Sequence, residues 1–248
     1  VLPGHLENDL ASIRQNLSLT VDCGPRDIRD LPVFFGEKRA RDADYGQHSI
    51  EIIAEVNHAD RLTAEQLVST AQRLIADGAD RVDLGCTPGN RWASVGDAVR
   101  RLRDLSIRVS IDSFDAWEVA QACKAGAELV LSVNSTNRNA AVDWNTEVVV
   151  IPDVPGDEKS FEETIDFLAQ RGIPMRLDPI LEPLGCGFTS SLERYAACRK
   201  KYSEAKMLMG IGNITELTDV DSAGVNVLLL GICQELNIQS VLTTEVIN

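Results

Sequence analysis

Residues 51–84 read EIIAEVNHADRLTAEQLVSTAQRLIADGADRVDL. Short runs rich in β-branched and aliphatic residues predict strands over Glu51–Val56 and Arg81–Leu84. Between them, the apolar residues of Thr63–Asp77 have helical spacing, Thr63 is a good N-cap residue, and Gly78 follows the end of the helix. A strand, a helix and a second strand in this order are typical of a parallel α/β fold.

The same β/α unit recurs along the rest of the chain. A second amphipathic helix is predicted over Phe161–Gln170, with Ser160 as its N-cap, and Gly126 and Gly172 mark further helix ends. Evenly spaced units of this kind favour a (β/α)8 TIM barrel over a doubly wound sheet. The eight predicted strands are Glu51–Val56, Arg81–Leu84, Arg108–Ile111, Glu128–Val133, Glu147–Ile151, Pro174–Leu177, Lys206–Gly210 and Gln239–Thr243.

Residues 1–48 do not follow this pattern. They contain a Pro/Gly/Asp-rich middle, the chain opens without a methionine, and the last predicted strand ends close to the final residue. We therefore expect 1–48 to be an N-terminal segment, formed by the end of a preceding domain and a linker, and 49–248 to be the barrel. On the same reasoning, the eighth helix of the barrel is expected to be missing or supplied elsewhere.

Composition excludes several classes of protein. The 248 residues include 38 acidic and 24 basic ones, a formal net charge of −14, which disfavours binding to nucleic acid or to an anionic membrane. The longest apolar run is too short to span a bilayer. Six scattered cysteines without a C-x-x-C pair fit a reduced, cytoplasmic protein.

Polar residues lie at the ends of the predicted strands, where TIM barrels carry their active sites. They are Asn57, Asp83, Asp112, Asn134, Asp153, Asp178, Asn213 and Glu245, and none is a Lys, Arg or His. Carboxylates and amides without a fixed cation suit a neutral, flat heterocycle rich in N–H donors. Asp178, for example, could accept two parallel N–H bonds from an amino-pyrimidinone edge. The alternative is a divalent cation held by oxygen ligands, whereas the His and Cys spacing disfavours zinc.

Three motifs resemble the pterin-binding family of dihydropteroate synthases and methyltetrahydrofolate:corrinoid methyltransferases. They are VSIDSFD (109–115) with VAQACKAGA (119–127), VNST (133–136), and RGIPMRLDP (171–179). The resemblance runs from about Ile52 to Glu245 and implies that Asp112, Asn134 and Asp178 hold a pterin ring. Asn57, in Ala-Glu-Val-Asn, is similar to the family's first-strand asparagine, and Asp83 of the strand-end series joins the candidate pterin-binding residues.

Two departures separate the chain from typical dihydropteroate synthases. ILEPLGCGF (180–188) lacks the lysine of the family's glycine-rich loop, and MGIGNITEL (209–217) lacks its Ser-Arg motif. The second loop is more similar to that of the methyltransferases, which places Asn213 beside the methyl-bearing atom of the pterin. Residues 23–36, CGPRDIRDLPVFFG, resemble instead a dihydropteroate synthase-related branch of organisms that use tetrahydromethanopterin.

The resemblance leaves three hypotheses. The first is a transferase that joins a pterin-methyl diphosphate to an arylamine in tetrahydromethanopterin or folate-type cofactor biosynthesis. Asp112 and Asp178 would favour positive charge at the exocyclic methylene. Mg²⁺ and helix N-termini would hold the diphosphate, with Arg61, Arg91 or Arg138 as candidate substitutes for the missing lysine and arginine. The second is methyl transfer from a methyl-tetrahydropterin to a corrinoid or other acceptor, with Asn213 and Asp112 as the catalytic residues. The third is a non-catalytic pterin-binding protein, and a homodimer is expected from the family alone.

Overall fold

The computed structural model describes residues 1–2, 6, 10–16, 20–25, 31–36, 50–216 and 222–244. The chain divides into two compact units, Val1–His48 and Ser49–Asn248. In the first unit, α1 spans Leu10–Asn16 and α2 spans Leu31–Phe34. Leu2 forms an isolated parallel bridge with Cys23 in the same unit. The assignment of residues 1–48 to the end of a preceding domain stays a prediction.

In the second unit, eight parallel strands close into a barrel in chain order, and β8 pairs back to β1. The strands are β1 Glu51–Val56, β2 Arg81–Gly85, β3 Val109–Asp112, β4 Leu129–Val133, β5 Glu147–Val150, β6 Met175–Leu177, β7 Lys206–Gly210 and β8 Ser240–Thr244. The predicted TIM barrel is confirmed, and each predicted strand overlaps an observed one. The residues after Thr244 lie outside the described part of the chain, so the prediction about the eighth helix stays a prediction.

Helices connect successive strands of the barrel. They are α3 Ala64–Ala76, α4 Val95–Asp104, α5 Ala116–Lys124, α6 Arg138–Ala141, α7 Glu158–Ala169, α8 Phe188–Lys201, α9 Gly212–Thr215 and α10 Ser222–Glu235. Thr63 caps α3 as predicted, because its side chain accepts a bond from Gln66 N and the Gln66 side chain accepts one from Thr63 N. In the part of the chain that the structure describes, no helix is long and apolar enough to cross a membrane.

The prediction that Ser160 caps α7 is wrong. The helix begins at Glu158, and its N-cap is Asp157, whose carboxylate accepts a bond of 3.1 Å from Ser160 N. Asp157 takes this place because its carboxylate reaches the free N–H of the third helical residue. Ser160 Oγ instead accepts a bond of 3.0 Å from Asp153 N, which ties the loop after β5 to the helix.

The inside of the barrel is layered, because residues two apart on a strand point to the same face. Charged side chains fill the end where the strands begin. Above them, an apolar layer is formed by Ile53, Leu129, Leu131, Val149 and Leu208. A larger apolar core lies between the strands and the helices. The next inward positions lie at the opposite end of the barrel, where the strands finish. We call this end the barrel mouth.

Candidate functional site

The barrel mouth collects most of the predicted polar residues. Asp112 is the last residue of β3, and Asn57, Asn134 and Asp178 directly follow β1, β4 and β6. Asn213 lies in α9, after β7. Asp153 is engaged elsewhere, since its carboxylate accepts bonds from Ser135 N and Oγ at 3.0 and 2.5 Å. Glu245 lies outside the described residues.

Asp178 is a buried carboxylate held in one orientation. Its Oδ1 accepts a hydrogen bond of 2.5 Å from Tyr195 Oη of α8 and one of 2.8 Å from Ile180 N. Burial raises the pKa of Asp178 to about 6, although the bonds from Tyr195 and Ile180 lower it. Tyr195 is itself fully buried, and the sequence analysis missed it. Because both protein donors use Oδ1, the second oxygen is left for another partner.

Asn213 and the second oxygen of Asp178 both face Gly210. Gly210, the last residue of β7, has no side chain, and a Cβ there would lie 3.5 Å from Asn213 Nδ2 and 3.9 Å from Asp178 Oδ2. The structure thus places Asn213 and Asp178 in the same part of the barrel mouth, next to this glycine. Asn213 Nδ2 donates a bond of 2.9 Å to Leu181 O, which orients its amide.

Asn134 is fixed by its own loop. Its Oδ1 accepts bonds from Thr136 N at 3.0 Å and Thr136 Oγ1 at 2.6 Å. Its backbone N–H donates to Asn137 Oδ1 at 2.9 Å. The side chain is 7% exposed, so its amide nitrogen is held in a nearly closed environment. Such an amide can donate to a carbonyl or ring nitrogen of a ligand.

Three inward carboxylates form what we call the carboxylate cluster: Glu55 of β1, Asp83 of β2 and Asp112 of β3. Burial raises the pKa of Asp83 well above its usual range, and the charges of Asp112 and Glu55 raise it further. Burial also raises the pKa of Asp112, against a lowering bond from Ser132. Burial, followed by the charges of Asp112 and Glu216, raises the pKa of Glu55 to about 7. Glu55 was not predicted as a site residue.

A cavity of about 680 Å³ opens above this cluster, over the ends of β1 to β3. Its volume suits a small-molecule ligand. The lining residues include Glu55, Asn57, His58, Arg91, Asp112 and Phe114. The loops that frame it are tied together, because Thr87 Oγ1 donates to Asp60 Oδ1 at 2.7 Å and lies 3.1 Å from His58 Nδ1.

The arginines considered as diphosphate grips are largely engaged in other contacts. Arg91 Nε donates to Asp115 Oδ2 at 2.8 Å, and its guanidinium lies over the Trp117 ring. Arg138 Nη1 donates to Thr164 Oγ1 at 3.3 Å and its guanidinium packs on Phe167. Arg61 is exposed in the 3₁₀ turn after β1.

The loop after β6 that lacks the family's lysine has a different arginine beside it. Arg194 of α8 donates to Glu182 Oε2 at 2.6 Å and to Ile180 O at 3.2 Å. Gly187 makes room for this pair, since a Cβ there would lie 2.6 Å from the Glu182 carboxylate. The charge of Arg194 is therefore already paired. Nothing in the local sequence marks Arg194 as a partner of this loop, since it lies within the following helix.

The barrel mouth thus has two parts. Asn134, Asp178 and Asn213 offer an acceptor and amides between β4 and β7. The carboxylate cluster and the cavity lie over β1 to β3. Among the described residues, no group of three or more His, Cys, Asp or Glu side chains has the geometry to hold a metal ion.

Several solved structures share this barrel, and they are dihydropteroate synthases. The enzyme of Yersinia pestis, solved with a pterine-sulfa conjugate, superposes with a TM-score of 0.63 at 18% identity, over 79% of this chain and 86% of that one. The enzyme of Xanthomonas albilineans, in complex with 7,8-dihydropteroate, gives 0.62 at 20% identity, over 78% and 87%. That of Thermus thermophilus, in complex with 4-aminobenzoate, gives 0.59 at 19% identity, over 79% and 87%. At these identities the likeness establishes the fold alone, the TIM barrel that these enzymes share with this chain.

One relative is closer in sequence. An uncharacterized protein of Methanocaldococcus jannaschii is 34% identical over 215 residues, which covers 79% of this chain. The match spans only 41% of that protein, so the chain corresponds to about two fifths of the length of its curated relative. No family model matches the chain.

Proposed function

We propose that the barrel mouth binds a pterin and that the protein is a dihydropteroate synthase-related transferase. The reaction joins a pterin-methyl diphosphate to an arylamine in tetrahydromethanopterin or folate-type cofactor biosynthesis. The observation that carries the proposal is the buried Asp178 carboxylate, with one oxygen held by Tyr195 and Ile180 and the other facing Gly210, as the Asn213 amide does. The dihydropteroate synthase fold supports it.

Asp178 has the chemistry that the amino-pyrimidinone edge of a pterin requires. That edge presents an amino group and a ring N–H side by side, and Asp178 Oδ2, which accepts no bond from the described part of the protein, has two lone pairs to accept from it. The amides of Asn213 and Asn134 can each serve a carbonyl or ring nitrogen nearby. A buried carboxylate left without its ligand costs free energy, which favours the bound state.

The reaction itself builds positive charge at the exocyclic methylene while the diphosphate leaves. Ionised carboxylates of the cluster, Asp112 in particular, would stabilise that charge. No lysine follows the glycine-rich loop, so the leaving group must be held in another way. Mg²⁺ usually takes one or two carboxylates together with phosphate oxygens, and the absence of a full protein cage among the described residues is compatible with that mode. The N-terminus of α8, which starts after Gly187, would supply N–H donors.

The first test of the proposal is pterin binding by calorimetry. Asp178→Asn should weaken binding of a pterin by about 1–3 kcal/mol, roughly 5- to 150-fold, since a neutral amide cannot accept both donors. Asp166→Asn, an exposed aspartate of α7, serves as the matched control and should leave the affinity unchanged. Equal affinity of wild type and Asp178→Asn would reject the pterin site.

The second test compares a pterin with its methyl diphosphate in the presence of Mg²⁺. A synthase should bind the diphosphate more tightly and form a dihydropteroate-type product with an arylamine such as 4-aminobenzoate. Binding of the pterin without gain from the diphosphate and without product would instead indicate a non-catalytic pterin-binding protein.

Methyl transfer is a second candidate because of the loop after β7. The segment MGIGNITEL (209–217), which contains this loop, has no basic residue, and the Asn213 amide is oriented by its bond to Leu181 O. An amide is suited to polarising a pterin nitrogen before the methyl group leaves. Incubation with a methyl-tetrahydropterin and cob(I)alamin tests this candidate, and demethylation would favour it over the synthase.

Cytoplasmic location, use of an arylamine and a homodimer are further parts of the proposal. All six cysteines are free, which fits a reducing compartment.

A further inference from the structure

Glu55 lies in the barrel mouth but is not one of the residues proposed to hold the pterin. Its side chain points inward from β1 and lines the cavity over β1 to β3. Gly85 of β2 makes room for it, because a Cβ there would lie 2.6 Å from Glu55 Oε1. Within the described part of the chain, no side-chain or backbone donor bonds its carboxyl group.

A second carboxyl group of the carboxylate cluster lies next to Glu55. Asp83 is fully buried, and its carboxyl oxygens form no hydrogen bond of normal geometry among the described residues, although the Ser110 hydroxyl is close enough to lower the pKa of Asp83. It lies beside Glu55 in the register of β1 and β2. A buried carboxyl group without a partner is costly, so it either holds a proton or awaits a donor. Glu55 lines the cavity, whereas Asp83 is fully enclosed next to it, and the charge of Glu55 raises the pKa of Asp83.

The charged groups around Glu55 are almost all acidic. They are Asp83 from β2, Asp112 from β3 and Glu216 after α9. His58 lines the same cavity from the loop after β1, and Arg91 lines it too but is paired with Asp115. Glu55 is thus held where a proton binds readily and where a substrate in the cavity can reach it.

We propose that Glu55 is the proton acceptor for the nucleophile of the coupling reaction. The inference rests on the proposed synthase function. The amino-pyrimidinone edge of the pterin is held on the β4 to β7 side of the mouth, and its exocyclic methylene points toward Asp112 of β3. The arylamine enters the cavity over β1 to β3, with its nitrogen against Glu55.

The step balances without a further reactant. The C–O bond to the diphosphate breaks, and the diphosphate leaves with the electron pair. The lone pair of the arylamine nitrogen forms the new C–N bond at the exocyclic methylene. The nitrogen then carries one proton too many, and the Glu55 carboxylate takes it and passes it to solvent.

The test measures the coupling rate of the full chain across pH with a pterin-methyl diphosphate, 4-aminobenzoate and Mg²⁺. In the wild type the rate should rise as pH passes about 7, since Glu55 must be ionised to accept a proton. Glu55→Gln should lower kcat by roughly 100-fold or more and abolish that rise. Glu55→Asp should keep the rise at a reduced rate, because it retains a carboxylate.

Pterin affinity, measured by calorimetry, should change less than about twofold in Glu55→Gln, since the pterin is held by the other side of the mouth. The exposed Glu193→Gln on α8 is the matched control and should behave as wild type. If Glu55→Gln keeps the rate, or loses rate but keeps the rise with pH, the role of Glu55 is overturned while the synthase function stands. If the wild type forms no product, the proposed function fails and this inference falls with it.

Discussion

Replacing Glu55 by glutamine should stabilise the fold at alkaline pH. The carboxyl group of Glu55 is mostly buried beside Asp112 and Glu216, and its pKa is raised from 4.5 to about 7. A raised carboxyl pKa means that the folded state binds the proton more tightly than the unfolded state does. The protonated carboxyl group therefore contributes its full stabilisation of the fold below the unfolded pKa, and this contribution is lost as pH rises through about 7. Glutamine has nearly the same shape and never ionises, so the free energy of unfolding of Glu55→Gln does not fall as the pH passes through this range.

The size of the effect follows from the shift. A change from 4.5 to about 7 corresponds to roughly 3 kcal/mol, at about 1.4 kcal/mol for each pKa unit. Most of this difference develops between about pH 5 and about pH 8. The variant and the wild type should therefore have similar free energies of unfolding at about pH 5, and the variant should lead by about 2–3 kcal/mol at about pH 8.

Urea unfolding followed by circular dichroism at several pH values measures this difference. The exposed Glu193→Gln of α8 is the control, and its offset from wild type should not grow with pH. Equal offsets for the two variants at every pH would refute the idea that Glu55 ionises at a cost. If this stabilised variant also loses the coupling activity, Glu55 is a residue that exchanges stability for function.

Two further predictions concern the loops on the other side of the mouth. Tyr195→Phe removes the donor that lowers the pKa of Asp178, so that pKa should rise above about 6 and pterin binding should weaken by about 1 kcal/mol, most strongly below neutral pH. Calorimetry across pH checks this, and an unchanged affinity at all pH values would contradict it. Gly187→Ala should cost about 1–3 kcal/mol in urea unfolding, because φ is 118° and the new Cβ would meet the Glu182 carboxylate. Gly156→Ala, with φ 86° and no atom within 4 Å, should cost less, and equal losses would show that the contact with Glu182 is unimportant.

The barrel could be predicted from the sequence because its signals are local. Each strand is a short apolar run, and glycines at positive φ follow helices as the sequence suggested, with Gly78 at 112° and Gly126 at 106°. The wrong N-cap prediction at Ser160 also comes from reading only local signals. Asp157 and Ser160 are both good N-cap residues, and only the three-dimensional path of the loop decides which of them begins α7.

The site was only partly predictable, because several of its contacts join distant parts of the chain. Tyr195 reaches Asp178 from the middle of α8, and no spacing rule connects the two. Glu55 did have a local signal, since it lies two residues from the inward Ile53 on β1. Asn57 was predicted instead because it directly follows β1, and it is exposed at the rim.

The two ends of the barrel treat their acidic residues in opposite ways. Where the strands begin, Glu51 accepts from Arg81 at 3.0 Å, and Glu147 accepts from Arg176 at 2.9 Å and Lys206 at 3.0 Å. Where the strands finish, the carboxylate cluster has raised pKa values.

Strands β1 and β2 contribute charged residues to both ends, since Glu51 and Glu55 lie on β1 and Arg81 and Asp83 lie on β2. The same strands could therefore have carried arginines at the barrel mouth as well. The paired end needs nothing more, because its charges are compensated within the chain. The end that carries the carboxylate cluster lacks this compensation among the described residues, and a ligand with N–H donors and developing positive charge would supply it. The pterin proposed above, with its N–H donors and the positive charge that develops at its methylene, is a ligand of this kind.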